Sequence, residues 1–144
     1  PPRDHDVTID DYFGLASIGD VAVSPDGLLV AYTVRRWEPP REEQDADLWV
    51  APAAGGTTRR LTFEPGVEAS PRWSPDGRFL YYLAGREREG EAAPPYDGEK
   101  QVWRIAVETG VETPVTRAEA GVDAFEVAGD GGAIYFTVSN EAHE

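Results

Sequence analysis

The sequence predicts an all-β fold, namely a β-propeller segment made of four-stranded antiparallel blades. A hairpin pattern, two apolar stretches around a tight turn, occurs three times, with its turn aspartates at Asp26, Asp76 and Asp130. Asp76 follows Asp26 by 50 positions and Asp130 follows Asp76 by 54, a period typical of propeller blades. A second pair of short apolar stretches separates successive hairpins, so each unit holds four strands.

The four residues at the centre of each hairpin predict a tight turn that ends one strand and begins the next. In Ser74-Pro75-Asp76-Gly77, proline presets φ, aspartate can bond its own backbone and glycine accepts a positive φ. The same four residues occupy 24–27, whereas the third copy has Ala128-Gly129 in place of Ser-Pro, a change that a turn can absorb. The flanking stretches are too short for helices and predict strands.

The outer two strands of each blade follow from a second repeated interval. Trp49 precedes Thr62 by 13 positions, and Trp103 precedes Thr116 by the same 13, with a glycine-containing turn in each gap. We expect Trp49 and Trp103 to lie in the core between blades, each indole N–H bonding a nearby acceptor.

The repeats divide the chain into four parts. Residues 1–19 form a lead-in with a short helical turn, predicted from the capping pattern Thr8-Ile9-Asp10-Asp11. Complete blades are expected at 20–67 and 68–121, and the first hairpin of an incomplete blade at 122–144. We therefore expect a fragment whose terminal faces need the rest of a polypeptide or copies of the chain itself.

Residue alternation predicts which strand faces are apolar. Each first strand has one apolar face, formed by Val21 and Val23, by Pro71 and Trp73, and by Phe125 and Val127. The strands after the turns are apolar nearly throughout, which predicts that stacked blades cover both of their faces. On the face opposite Trp73 and Val127, Arg72 and Glu126 hold equivalent positions, and we expect them to lie near each other along the central channel.

Composition excludes several function classes. The 27 acidic and 13 basic residues give a net charge of −14, which disfavours binding to nucleic acid. No apolar run approaches the roughly 20 residues of a membrane span. Cysteine is absent, so the sequence offers neither disulfides nor thiol chemistry, and we expect a cytoplasmic protein.

No catalytic or metal-binding pattern is present in the sequence. His5 and His143 lie near the two ends, and no G-x-S-x-G motif occurs. Asp45 and Asp47 lack the distant glutamate of a calcium loop and are interpreted as ordinary turn acids. We predict no catalytic residue, no metal site and no cofactor in this segment.

The connections at 35–46 and 85–100 are charged and broken by proline. They are interpreted as solvated loops, with the alternative that Trp37 and Tyr96 touch a substrate or a partner domain. The apolar lead-in side chains either plug the first blade or dock onto another domain; they are Ile9, Tyr12, Phe13 and Leu15.

The motifs resemble the N-terminal propeller of the prolyl oligopeptidase family, especially its acylaminoacyl-peptidase and dipeptidyl-peptidase branch. The resemblance covers nearly the whole chain. The Tol-system propeller shares the turns, but the lead-in and the long insertions favour the peptidase. The motifs that carry the resemblance are the Ser-Pro-Asp-Gly turns, Asp47-Leu48-Trp49-Val50, Gly55-Gly56 running to Arg60-Leu61-Thr62, Arg72-Trp73-Ser74 and Ile9-Asp10-Asp11-Tyr12.

The resemblance implies a serine peptidase that acts on short peptides, whose α/β-hydrolase domain lies outside this segment. The expected partners are that domain, the remaining blades and a short peptide substrate, with no nucleic acid and no membrane. The propeller would cover the active site and filter substrates by size. The alternative is a non-enzymatic binding propeller of the Tol type. Dipeptidyl peptidases hold the substrate amino group with paired propeller glutamates, but Glu42-Glu43 does not match that motif's place and no role is carried over to it.

Overall fold

The computed structural model describes residues 16–37 and 44–138. Within these ranges the chain contains ten β-strands and no helix, which confirms the all-β prediction. The strands are β1 (Ala16–Val23), β2 (Leu29–Trp37), β3 (Gln44–Pro52), β4 (Arg59–Arg60), β5 (Ala69–Trp73), β6 (Phe79–Glu87), β7 (Asp97–Ala106), β8 (Glu112–Pro114), β9 (Ala124–Val127) and β10 (Ile134–Thr137).

The strands form three antiparallel sheets in chain order. The first sheet is β1-β2-β3-β4, the second is β5-β6-β7-β8, and the third is the hairpin β9-β10. Because each sheet is a meander, β1, β3, β5 and β7 begin at one edge of the stack. We call this edge the entry rim, and the edge with the hairpin turns the turn rim.

The three turns at the turn rim have the same backbone hydrogen bond. The amide of Gly77 donates to the Ser74 carbonyl at 2.9 Å, and the amide of Gly131 donates to the Ala128 carbonyl at 2.8 Å. The third turn therefore tolerates the loss of Ser-Pro, as expected. Successive turns also touch, since a Cβ added at Gly131 would lie 3.2 Å from Cδ of Pro75.

Two apolar clusters fill the spaces between the sheets. The first joins sheets one and two and contains Ala31, Leu48, Val50, Leu61, Leu80, Tyr82, Ala84, Trp103, Ile105 and Val107. The second joins the second sheet to the final hairpin and contains Tyr81, Leu83, Val102, Val122 and Phe125. Face-to-face stacking of sheets, as in a propeller, thus supplies the hydrophobic core.

Polar contacts also join the first two sheets. The indole N–H of Trp73 donates to the Ala22 carbonyl at 2.9 Å, and the Ser70 amide donates to the Asp20 carboxylate at 3.1 Å. Arg59 in β4 donates to the carbonyl of Val107, which follows β7. Hydrogen bonds therefore join the first two sheets both between β1 and β5 and between β4 and the residue that follows β7.

Three expectations about packing need correction. Trp103 is buried in the first cluster but Trp49 is only half-buried, because Trp49 lies on the face of the first sheet that points away from the second. The indole N–H of Trp103 has no acceptor among the described residues. Both faces are covered for β6 but not for β10. Tyr135 is 67% exposed because it lies on the face of the hairpin opposite the second cluster, and no other described sheet covers that face.

The outward face of the first sheet is apolar and open. Val21 and Val23, which the sequence predicted on one apolar face, are 63% and 58% exposed. Through the strand register, Val23, Val30 and Ala51 form one row of this face, and Val21, Tyr32 and Trp49 form the next. Within the described residues, no helix is long and apolar enough to cross a membrane.

Candidate functional site

A buried charged cluster lies at the entry rim of the second sheet. Arg86, near the end of β6, donates through Nη2 to Glu68 Oε1 at 2.7 Å and to Glu112 Oε1 at 3.4 Å. Glu68 is fully buried and Arg86 is 6% exposed. The Glu68 amide also donates to the Ala46 carbonyl at 2.9 Å, so the linker between the first two sheets is held to both.

Burial dominates the ionisation of this cluster. Loss of solvent raises the pKa of Glu68 to about 8, although the adjacent guanidinium of Arg86 opposes the shift. Burial lowers the pKa of Arg86, but the carboxylates of Glu68 and Glu112 outweigh it and raise that pKa overall. Burial thus favours the protonated form of Glu68, whereas the guanidinium of Arg86 stays charged.

Two cavities adjoin Arg86. The larger, of about 530 Å³, lies between the linker and the start of the β6–β7 connection, and the smaller has about 210 Å³. Glu64, Arg86 and Glu87 line both. The remaining wall of the larger cavity is Pro65, Gly66, Gly85 and Gly98, and that of the smaller one is Arg88, Tyr96, Trp103 and Glu112.

Glycine is required in the wall of the larger cavity. A Cβ on Gly85 would lie 2.6 Å from the carbonyl oxygen of Gly98, a distance that permits no side chain. Gly98 itself has a φ of 86°, which disfavours any L side chain. The backbones of β6 and β7 therefore approach closely at this point, where the register between the strands shifts.

Aromatic rings form one wall of the smaller cavity. The Tyr96 and Trp103 ring centroids are 5.9 Å apart, and the guanidinium carbon of Arg88 lies 3.8 Å from the Tyr96 centroid. Tyr96 is half-buried, so the sequence interpretation of a solvated loop is wrong for this residue. The difference from the prediction has a structural cause. Strand β6 extends to Glu87 and β7 begins at Asp97, so the loop between them is shorter than the predicted connection at 85–100.

The cluster contains polar atoms without a partner. Nε and Nη1 of Arg86, Nε1 of Trp103 and Oε2 of Glu68 are buried and make no hydrogen bond among the described residues. Most native buried polar atoms have a protein or water partner, so four unpaired atoms in one place leave this cluster incompletely hydrogen-bonded. Three of these four atoms are nitrogen donors.

Of the other sequence candidates, Arg72 and Glu126 lie together as predicted. Arg72 Nε is 3.9 Å from Glu126 Oε2, and both side chains are largely solvated, so the pair contributes little stability. The interpretation of Asp45 and Asp47 as ordinary turn acids is wrong, because both residues lie in β3. Asp47 is buried and pairs with Arg60 at 2.9 Å, while Asp45 accepts from the Gly66 amide at 3.1 Å.

Several candidates lie outside the described residues: Ile9, Tyr12, Phe13, Leu15, Glu42-Glu43, His5 and His143. Trp37 ends β2, and its role stays a prediction. In residues 16–37 and 44–138, no group of three or more His, Cys, Asp or Glu side chains could hold a metal ion. The predicted absence of catalytic residues also stays a prediction.

The cluster around Arg86 was not predicted from the sequence. A usable signal was available, since Arg86 continues the alternate-residue face of β6 that carries Leu80, Tyr82 and Ala84. A charged residue that continues a buried strand face needs a partner. The sequence could not identify that partner, because Glu68 and Glu112 come from distant positions.

The chain is similar to two peptidases over most of its length. It is 29% identical over 133 residues to the uncharacterized peptidase YuxL of Bacillus subtilis, covering 92% of this chain and 19% of that protein. It is 27% identical over 134 residues to dipeptidyl-peptidase 5 of Porphyromonas endodontalis, covering 90% and 18%. The chain thus spans about a fifth of the length of these relatives. No family model matches the sequence.

A shorter similarity involves the Tol system. The chain is 43% identical over 50 residues to the Tol-Pal system protein TolB of Anaeromyxobacter dehalogenans, covering 35% of this chain and 10% of that protein. The solved structure of a putative TolB from Agrobacterium tumefaciens matches with a TM-score of 0.60 at 28% identity, covering 84% and 38%.

Two solved peptidase structures share the fold. Acylaminoacyl peptidase of Pyrococcus horikoshii has a TM-score of 0.69 at 16% identity, covering 92% of this chain and 19% of that one. The β-propeller domain of the trilobed protease of Pyrococcus furiosus has a TM-score of 0.60 at 18% identity, covering 84% and 33%. The fold is therefore that of a propeller. The resemblance stated from the sequence is confirmed, and the chain is a β-propeller segment similar to those of prolyl oligopeptidase family peptidases.

Proposed function

We propose that this segment belongs to a serine peptidase that hydrolyses short peptides, whose catalytic α/β-hydrolase domain lies outside the chain. The observation that carries the proposal is the similarity to two peptidases, which extends over nine-tenths of the segment. In such an enzyme, a serine activated by histidine and an acidic residue attacks the peptide carbonyl. The propeller covers that site and excludes folded proteins by size.

The test is covalent labelling of the full-length protein with a fluorophosphonate probe. An activated serine reacts with the probe, so we expect labelling of the full-length protein and none of residues 1–144 alone. Substitution of the serine of a G-x-S-x-G motif in the hydrolase domain provides the control and should abolish labelling. A full-length protein that never reacts contradicts the proposal.

The lead-in provides a second test. If Ile9, Tyr12 and Phe13 dock onto the hydrolase domain, their joint replacement by alanine lowers turnover of a short chromogenic peptide. Loosening of the ring also relaxes the size limit, so that an unfolded protein is cut faster. Unchanged rates on both substrates would indicate that the lead-in only plugs the first blade.

The second candidate function is a non-enzymatic propeller that binds a protein partner. The observation in its favour is the 43% identity over 50 residues to TolB. Absence of fluorophosphonate labelling, together with a coding sequence that ends after the propeller, would decide for this function. For either function, the lack of cysteine supports a cytoplasmic location.

A further inference from the structure

We propose that residues 63–68, the linker that leads from the first sheet into the second, form a pH-sensitive latch. The latch is closed while the carboxyl group of Glu68 is protonated, and loss of that proton lets the linker lift from the sheets. The proposal goes beyond the proposed function and does not depend on it, because it concerns the junction of two sheets and no catalytic step. It is carried by the burial of Glu68, by the charges around it and by the contacts of the linker.

The side chain of Glu68 anchors the linker in the interior. Of residues 63–68, Glu68 alone is buried. The backbone of the linker is held to β3 by two amide hydrogen bonds, from Ala46 to the Gly66 carbonyl at 3.1 Å and from Glu68 to the Ala46 carbonyl at 2.9 Å. The Gly66 amide also donates to the Asp45 carboxylate at 3.1 Å. A short segment with so few buried groups can open while the sheets beside it stay folded.

Carboxyl groups outnumber guanidiniums around Glu68. Arg86 contacts the carboxylates of both Glu68 and Glu112, at 2.7 Å and 3.4 Å. The other ionisable groups of the cluster are Tyr82 in β6, Asp47 in β3 and Arg60 in β4, which pairs with Asp47 at 2.9 Å. Three carboxyl groups thus share two guanidiniums, and one bound proton makes the whole cluster neutral.

Glu68 is the carboxyl group that gains most from this proton. Its side chain is fully buried, whereas that of Glu112 is 21% exposed. Its Oε2 makes no hydrogen bond among the described residues, and a buried carboxylate with an unbonded oxygen is costly. Burial accordingly raises the pKa of Glu68 to about 8, although the guanidinium of Arg86 acts in the opposite direction.

The latch opens as pH rises. In the open linker Glu68 is in solvent with its ordinary pKa of 4.5, so the closed state holds a proton that the open state releases. From about pH 4.5 to about pH 8, the equilibrium constant for opening therefore rises about tenfold per pH unit, and at higher pH it is constant. Opening also lets water reach Nε and Nη1 of Arg86, which have no partner among the described residues.

Opening changes the surface of the entry rim. Glu64, Pro65 and Gly66 form one wall of the larger cavity, and Arg86 contributes to the wall that β6 provides. When the linker lifts, that cavity loses a wall and the guanidinium of Arg86 becomes accessible. The latch therefore couples the pH of the solvent to the shape of the junction between the first two sheets.

Hydrogen exchange of the full-length protein between pH 6 and pH 9 tests the latch, with rates corrected for base catalysis. The reporter is the amide of Glu68, and amides of β6 and β7 are the reference. We expect protection at Glu68 to fall about fiftyfold from pH 6 to pH 8 and then to level off, as for release of one proton. Low concentrations of urea should leave this protection unchanged, because opening the linker exposes little surface, but should reduce protection in β6.

Glutamine variants identify the group that carries the proton. Glu68→Gln should make protection of the linker independent of pH in this range, whereas Glu64→Gln, on the exposed part of the same linker, should keep the wild-type profile. Glu112→Gln keeps Glu68 but removes a carboxylate that raises its pKa, so protection should level off at a lower pH. Because Glu112 is partly exposed, this variant tests the latch even where Glu68→Gln does not fold.

Three results would overturn the proposal. Protection at Glu68 that does not change with pH would show that its carboxyl group is ionised in the closed state. The same urea dependence at Glu68 and in β6 would show that the linker opens only when the protein unfolds. A pH dependence that persists in Glu68→Gln, or a wild-type profile in Glu112→Gln, would assign the proton to a group outside this cluster.

Discussion

Oε1 of Glu68 lies 2.7 Å from Nη2 of Arg86, and both side chains are buried. The contact lies near the entry rim, between the first two sheets. Glu68 lies in the linker that leads into β5, and Arg86 lies in β6. The contact holds the linker against the second sheet, and the amide of Glu68 holds it to Ala46 of β3. The site around Arg86 therefore depends on Glu68 for its position.

This contact predicts a pH dependence of stability. Burial raises the pKa of Glu68 to about 8, above the value of 4.5 for a free side chain. The folded state therefore holds a proton that the unfolded state releases, so stability falls as pH rises from about 4.5 to about 8. The ionisation of Glu68 changes the free energy of unfolding by at most about 1.4 kcal/mol per pH unit.

Urea unfolding between pH 5 and pH 8 tests the prediction with two glutamine variants. Glu68→Gln should flatten the slope, and the exposed Glu64→Gln on the same linker should leave it unchanged. Some slope will remain in Glu68→Gln, because burial also raises the pKa of Asp47. Identical slopes in the wild type and Glu68→Gln would show that Glu68 is ionised when folded.

Trp73→Phe is predicted to weaken the junction of the first two sheets. The substitution removes the hydrogen bond from the indole N–H to the Ala22 carbonyl and should cost about 0.5–1.5 kcal/mol, in addition to any loss of packing. Its measure is the urea midpoint, together with faster hydrogen exchange in β1. Trp49→Phe, on the open face of the first sheet, is the matched control, and equal losses in both variants would contradict the inter-sheet role.

Gly131→Ala is predicted to destabilise the third turn. Gly131 has a φ of 73°, which costs an L residue about 1–2 kcal/mol, and its new Cβ would press on Pro75. Gly27→Ala introduces the same backbone strain, but its new Cβ has no neighbour within 4 Å. Gly129→Ala introduces neither backbone strain nor a close contact of the new Cβ. Thermal melting should therefore rank Gly129→Ala as most stable and Gly131→Ala as least; any other order would reject the contact between turns.

The open face of the first sheet predicts self-association of residues 1–144 in isolation. Val21 and Val23 lie exposed on one apolar face, which is the type of surface that proteins use to associate. Sedimentation should show concentration-dependent association that Val21→Asp with Val23→Asp reduces. Val111→Asp, at an exposed valine in the turn before β8, should have little effect. A chain that stays monomeric at all concentrations contradicts this prediction.

Sequence reasoning was most successful where local chemistry fixes the backbone. Proline, aspartate and glycine at 25–27 and 75–77 specify tight turns, and apolar residues around them specify strands. It was less successful at strand ends, where β6 continues through Arg86 into a stretch that reads as a charged loop. Pairing with β7 keeps this stretch extended, and no local property of its residues reveals that pairing.

By itself the sequence determined the number and order of the hairpins, the repeat period and the proximity of Arg72 to Glu126. These follow from turn chemistry and from the similar spacing of the hairpins, which places equivalent residues of stacked units side by side. Only the tertiary structure decided that Glu68, Arg86 and Glu112 meet, that Trp103 lacks an acceptor and that Val21 and Val23 remain exposed. The physical reason is that burial and pairing arise where sheets stack, between residues whose separation along the chain carries no local signal.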